Sequence, residues 1–192
     1  VLFNVWAYIE RLEKKVEERV NSVEGVEAIL WQACHHPRVL YQSFTPISSL
    51  RPDGFIFGFP TIFGMMAAQF NAFLDSTEEL CKTQQLSGKP VAIITGTNSQ
   101  GGGQETTVLT GITPLVHHGM IFVPFGIRFT YSHEFGNVKE VKGGSPYGTG
   151  TYVGRGANRL RVDACIRPWL LLWQHHKAAQ GSYCIMLKGC TY

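Results

Sequence analysis

With 192 residues, 44% hydrophobic and 16% charged, the chain can bury a sizeable core as one domain, 1–192, and is not disordered. A formal net charge of +3 is too small to argue for nucleic acid, and no basic run interleaves with aromatics as single-strand binders require. Five cysteines, Cys34, Cys81, Cys165, Cys184 and Cys190, show no CxxC and no paired metal spacing, which argues against a disulfide framework and for a reducing compartment.

In chain order, Asn4 to Ser22 sets Ile9, Leu12, Val16 and Val20 among Glu, Lys and Arg, the spacing of a one-sided helix. Only Val1-Leu2-Phe3 precedes it, too short for a central strand. Val26 to Gln32 reads as a strand, Gly54 to Phe59 as a buried strand, and Met65 to Leu80 as a helix ending in a polar turn. Gly58, Pro60 and Gly64 punctuate the apolar stretch from Gly54 to Phe70, so it is strand, loop and helix in place of a membrane span. Val91-Ala92-Ile93-Ile94 is β-branched and continuous, as a strand buried on both faces would be. Glu105 to Val116 reads as a helix and Met120 to Ile127 as a last strand. Beyond Arg155 the pattern blurs, with apolar Leu170 to Trp173, polar Gln174 to Gln180 and apolar Cys184 to Leu187, where a covering helix is expected.

Strands alternating with helices imply right-handed crossovers onto one parallel sheet, whose ligands sit beyond the carboxyl ends of the strands. Two loops lie at such ends: Phe59 to Gly64, and Thr95 to Gln104, the latter reading Thr-Gly-Thr-Asn-Ser-Gln-Gly-Gly-Gly-Gln. Small hydroxyl, amide and glycine residues present backbone N–H groups with little bulk, which suits a flat polar ligand. Histidines are paired at His35-His36, His117-His118 and His175-His176; neighbours on one element point apart, so the first and third pairs read as ordinary surface or loop residues and no metal site is expected. The residues alone leave His117 open between a core histidine and a site residue. Arg155, Arg159, Arg161 and Arg167 read as a solvated basic face.

Asp53 to Met65, Ser99 to Thr107, His117-His118-Gly119-Met120 and Gly143 to Gly148 together resemble, in order and spacing, the WrbA-type NAD(P)H:quinone oxidoreductases, nearest the plant branch. The likeness is close over 53–154, weaker over Asn4 to Gln32, and poor in the divergent tail, 156–192. It implies an α/β, flavodoxin-like, doubly wound parallel five-stranded sheet with its first strand truncated. It also implies bound FMN, NADH or NADPH as cosubstrate, a quinone as acceptor and a homotetramer; the sequence itself shows no signal peptide, so soluble, cytoplasmic residence is expected. Peripheral membrane association stays open because quinones are lipophilic.

By the same resemblance Thr61, Ile62, Phe63 and Gly64 lie along the flavin. Thr97, Asn98, Ser99, Gln100, Gly101 and Gly102 wrap its other edge, and His117 faces the ring where nicotinamide and quinone stack in turn. The family's phosphate loop, Ser-x-Tyr-Gly-His-(Ile/Val), falls on Asn4-Val5-Trp6-Ala7-Tyr8-Ile9, so Asn4, Trp6 and Ile9 are its cofactor residues here. The sequence departs from the family at Ala7 for Gly, Ile62 for Arg, Asn98 for Gly, Cys81 for a Trp that shapes the slot from a neighbouring subunit, and Arg155 for Asp. The segment Ala33 to Phe44 is also shortened. These departures keep a second possibility in view, a divergent flavodoxin-like subunit with weak or no FMN binding that serves assembly. A dinucleotide-binding dehydrogenase ranks behind both, because Gly148-Thr149-Gly150-Thr151 misplaces the third glycine at Gly154. A Walker-type site is ruled out by Pro90 after Gly88-Lys89.

Overall fold

The structure is a computed structural model that describes residues 2–32, 52–124, 144–152 and 182–188, with Leu2–Tyr8 and Ser182–Lys188 as backbone. Helix α1, Leu2–Asn21, buries Ile9, Leu12, Val16 and Val20 as their spacing predicts, with Glu13 in the same stripe. Strand β1 is Val26–Gln32, and β2 runs from Gly54 to Ile62, three residues beyond the expected end.

The helix expected over Met65 to Leu80 is three elements. Met65–Met66 (β3) folds back antiparallel on β2, with Thr61 opposite Met66 and Ile62 opposite Met65. Ala68–Asp75 (α2) and Glu78–Lys82 (α3) follow, parted at Ser76 and Thr77. The physical reason for that break is local: each of these hydroxyls donates back to a carbonyl three residues earlier, at 2.6 Å, and competes with the helical ladder.

Strand β4, Pro90–Thr97, is buried throughout and leads through the glycine-rich loop into α4, Gln104–His117. Pro114 lies inside α4 without a donor for the Thr110 carbonyl. The Thr113 hydroxyl supplies one at 2.8 Å.

The sheet order is β1-β7-β2-β4-β5, where β5 is Ile121–Phe122 and β7 is Ser182–Lys188. A short strand β6, Thr149–Tyr152, also pairs with β4. Ile121 and Phe122 pair with Pro90 and Val91 at the start of β4, and β6 pairs with Ile94 to Thr97 at its end. The edge position is therefore one parallel strand interrupted between its halves. The expected last strand, Met120 to Ile127, is described only to its first half.

In the flavodoxin-like order 2-1-3-4-5, β1, β2, β4 and the split edge take positions two, three, four and five. Position one belongs to β7, parallel to both neighbours, with Cys184 opposite Ala28 and Gly54. The tail segment expected in a covering helix is thus, in its described part, a central strand. Its run of apolar residues suits a slot buried between two other strands.

Alternation along the strands assigns the faces. Ile56, Gly58, Ala92 and Gly96 look toward α1: Ile9 packs on Gly96, and the Glu13 carboxylate lies against Gly58. Phe55, Phe57, Phe59, Val91 and Ile93 look the other way, onto Phe70 and Phe73 of α2 and onto α4. Phe57 meets Phe70 edge-on at 5.3 Å between ring centroids. Gly111 lets α4 settle on the sheet, since a Cβ there would sit 3.1 Å from Ile93 and 3.2 Å from Phe59.

His35, His36, Cys34 and the shortened stretch Ala33 to Phe44 lie outside the described residues. So do Arg155, Arg159, Arg161, Arg167, Cys165, Cys190, Gly154 and the pair His175-His176.

Candidate functional site

The carboxyl ends of β2 and β4 are neighbours, paired through Pro60 opposite Gly96. Diagonally across this pair, the buried hydroxyls of Thr61 and Thr95 are bonded at 3.0 Å. They hold the two strands together where their loops diverge. Beyond Thr61, Phe63 and Gly64 form the two-residue connection of the β2–β3 hairpin, with φ of 53° and 76°. Two positive φ values match the twist of a tight hairpin, but an aromatic residue in that conformation is strained. The Phe63 side chain is fully exposed and Met65 is exposed beside it, so an apolar edge stands over this end of the sheet.

The glycine-rich loop reaches the same place. Gly103, the N-cap of α4, has φ 93°, and a Cβ built on it would lie 2.9 Å from the Gly64 Cα. The two turns touch through backbone, which glycine at 103 allows, while a Cβ on Gly64 would instead meet Thr106 Oγ1 at 3.0 Å. Asn98 to Gly102 are exposed, and a Cβ on Gly101 would meet nothing within 4 Å. The Gly102 N–H is spent on the Ser99 carbonyl at 3.2 Å. Those of Gln100, Gly101 and Gly103 take no acceptor among the described residues. An exposed loop with free N–H donors fits the flat polar ligand that the loop composition implies.

Helix α1 brings its start to this edge as well. Ile9 lies on Gly96, one residue before Thr97, so the helix from Leu2 rises about 10 Å beyond it at 1.5 Å per residue. Asn4 and Trp6, which the resemblance assigned to a phosphate loop, are therefore inside the first turns of the helix whose start was expected at Asn4. Of the expected residues, Ile9, Thr61 to Gly64 and Thr97 to Gly102 gather at one edge, with the helical start that holds Asn4 and Trp6.

His117 does not join them within the chain. It is the last residue of the 14-residue α4, about 20 Å from Gly103 along the helix axis. It sits by the start of β4, where Gly88 N–H donates to the Gly119 carbonyl at 2.8 Å. Its side chain is exposed, and its carbonyl accepts from Gln84 Nε2 at 3.0 Å and Cys81 Sγ at 3.3 Å.

His118 is the opposite case, buried among Phe55, Phe57, Phe73, Leu115 and Met120. The Thr77 hydroxyl gives its proton to the Leu74 carbonyl, so at 2.9 Å it accepts from His118 Nε2. That assigns the proton to Nε2 and leaves Nδ1 bare, with no partner among the described residues. Burial first, and repulsion from His117 second, hold the His118 pKa below the usual imidazole range. It is a neutral core histidine.

Sequence reasoning missed Gln104, the buried first residue of α4, whose side chain ties the loop to the Gly144 turn and to β6. The one local signal was a long amide placed between a glycine run and an apolar helix.

The strand order, the switch-point edge and the two abutting turns define a flavodoxin-like domain. Residues 48–129 match the family of NADPH-dependent FMN reductases. The chain is 46% identical over 178 residues to quinone-oxidoreductase QR2 of Triphysaria versicolor, covering 85% of this chain and 84% of that protein. It is 35% identical over 170 residues to NAD(P)H quinone oxidoreductase PST3 of Candida albicans, with 83% and 85% covered. Among solved structures, a WrbA-like flavodoxin from Agrobacterium tumefaciens superposes with a TM-score of 0.58 at 15% identity, covering 88% of this chain and 92% of that one, a likeness of fold. The chain belongs to the WrbA-type NAD(P)H:quinone oxidoreductase family.

Proposed function

We propose that the protein is an FMN-dependent NAD(P)H:quinone oxidoreductase that reduces quinones by two electrons. The observation that carries this is the backbone contact of Gly64 with Gly103 at the carboxyl edge of the sheet, in a chain whose relatives are named for that activity. When bound, FMN would supply the redox chemistry, hydride transfer from NADH or NADPH and two-electron reduction of a quinone. The protein supplies position. Thr61 to Gly64 would line one edge of the ring and Thr97 to Gly102 the other, with the N–H groups of Gln100 and Gly101 as donors to its acceptors. Phe63 and Met65 offer apolar surface that excludes water from the stacking slot.

Asn4, Trp6 and Ile9, on the first turns of α1, are where the phosphate tail would rest, with the helix start favouring the anion. His117 lies about 20 Å from the loop along α4. Its role at the ring therefore requires a second copy whose α4 end meets the first copy's slot, in keeping with a tetramer. Cytoplasmic residence is proposed on the same family ground. Among the described residues no helix is long and apolar enough to cross a membrane, and membrane association would be peripheral.

One visible spectrum tests the proposal. The protein is expected to be yellow, to bleach with NADH or NADPH and to recover with benzoquinone. A preparation that stays colourless after incubation with excess FMN overturns it.

A further inference from the structure

We infer that Gln104 is a positioning residue for the cofactor loop, acting through Thr97 to decide which polar groups the loop turns outward. The inference rests on the FMN-binding reading above. Gln104 Nε2 donates to Thr97 Oγ1 at 3.0 Å and to the Thr151 carbonyl at 2.9 Å, while Oε1 accepts the Gly144 N–H at 3.1 Å. Both amide protons are thereby used, so the orientation of the side chain is determined. The fit is close, because a Cβ on Gly150 would overlap Oε1.

The consequence reaches the loop through one hydroxyl. Thr97 Oγ1 accepts from Gln104, and its own proton goes to the Ser99 carbonyl at 2.8 Å. That carbonyl also accepts the Gly102 N–H at 3.2 Å. Amide, hydroxyl and carbonyl thus form a one-way chain in which each link polarises the next. With two donors holding it inward, the Ser99 oxygen is kept off the ligand side, and the rim offers the N–H groups of Gln100 and Gly101. The flavin ring carries acceptors at two carbonyls and two nitrogens and a single N–H donor between the carbonyls, so a rim of donors suits all of its edge but that one point, and a carbonyl turned toward the acceptors would be repelled. Gln104 touches no part of that ring; it acts by holding the loop in its donor-outward form.

The same bonds could serve only to staple β6 and the Gly144 turn to β4, and Thr97 separates the two roles. Thr97→Val breaks the relay while leaving Gln104 bonded to Thr151 and Gly144. Full-length Thr97→Val, Thr97→Ser, Gln104→Met and the Thr97→Val/Gln104→Met pair are compared by FMN titration, read as quenching of flavin fluorescence, and by apoprotein melting. Thr97→Val and Gln104→Met are each expected to weaken FMN binding about tenfold. The pair should be no worse than the weaker single variant, and Thr97→Ser should bind as the parent does. Unchanged FMN affinity in Thr97→Val overturns the inference, whatever happens to melting; should Gln104→Met not fold, the two Thr97 variants decide alone. A parent protein that takes up no FMN sinks the functional reading and this inference with it, an outcome distinct from parent uptake with unaltered variants.

Discussion

A single methyl group added at Gly103 probes the junction on which the site depends. In Gly103→Ala the new Cβ would lie 2.9 Å from the Gly64 Cα, at a position whose φ is 93°. Two costs then add. An alanine held at positive φ loses about 1–2 kcal/mol. Overpacking adds about 1–3 kcal/mol, near the upper end because the opposing atom is backbone and cannot rotate away. Gly101→Ala is the internal control, since its φ of 68° incurs the first cost, while its Cβ meets nothing within 4 Å. Urea unfolding of the two apoproteins is expected to place Gly103→Ala about 1–3 kcal/mol below Gly101→Ala. To relieve the overlap the turns must separate by several tenths of an ångström, so FMN affinity should fall in Gly103→Ala as well, about tenfold for each 1.4 kcal/mol of lost interaction. Equal stabilities for the two variants would mean that Gly64 and Gly103 do not touch in solution, and the geometry proposed for the cofactor edge would be wrong.

His118 should make stability fall on acidification. Its folded pKa is depressed by burial, so the unfolded state binds the proton first; the contribution is present above about pH 6.5 and is lost as pH drops below that value toward the folded pKa. Urea midpoints across that window should fall less in His118→Gln, and parallel slopes would refute the assignment. Gly58→Ala should be severely destabilising because its Cβ would overlap the Glu13 carboxylate; adding Glu13→Ala should recover much of the loss, and simple additivity in the denaturation cycle would argue against the contact. His117→Ala, at an exposed position, should change unfolding free energy by no more than about 0.5 kcal/mol. If a second copy brings it to the ring, the same variant lowers kcat/KM for the quinone, whereas unchanged kinetics remove His117 from the site.

Much of the local order is legible from side-chain periodicity, because neighbouring residues decide it. The stripe Ile9, Leu12, Val16, Val20 defines the buried side of α1, and β1 runs over Val26–Gln32 as its residues suggest. The β-branched run at Val91 and the glycines after Thr97 mark a buried strand and the turn that ends it, since a continuous β-branched run suits a buried strand and a glycine run suits a turn. Tertiary structure alone decided what depends on partners distant in sequence. Ser182–Lys188 carries no mark of its neighbours, yet parallel pairing on both sides inserts it between β1 and β2, the position that a truncated first strand was expected to leave incomplete. His117 and His118 are chemically identical and adjacent; the direction in which α4 leaves them exposes one and buries the other against Thr77. Gln104 reads as the last residue of the glycine-rich loop until Thr151 and Gly144 come within reach. Helix and strand formation are short-range choices, whereas the slot a strand fills and the bonds a buried amide makes exist only once the chain has closed on itself.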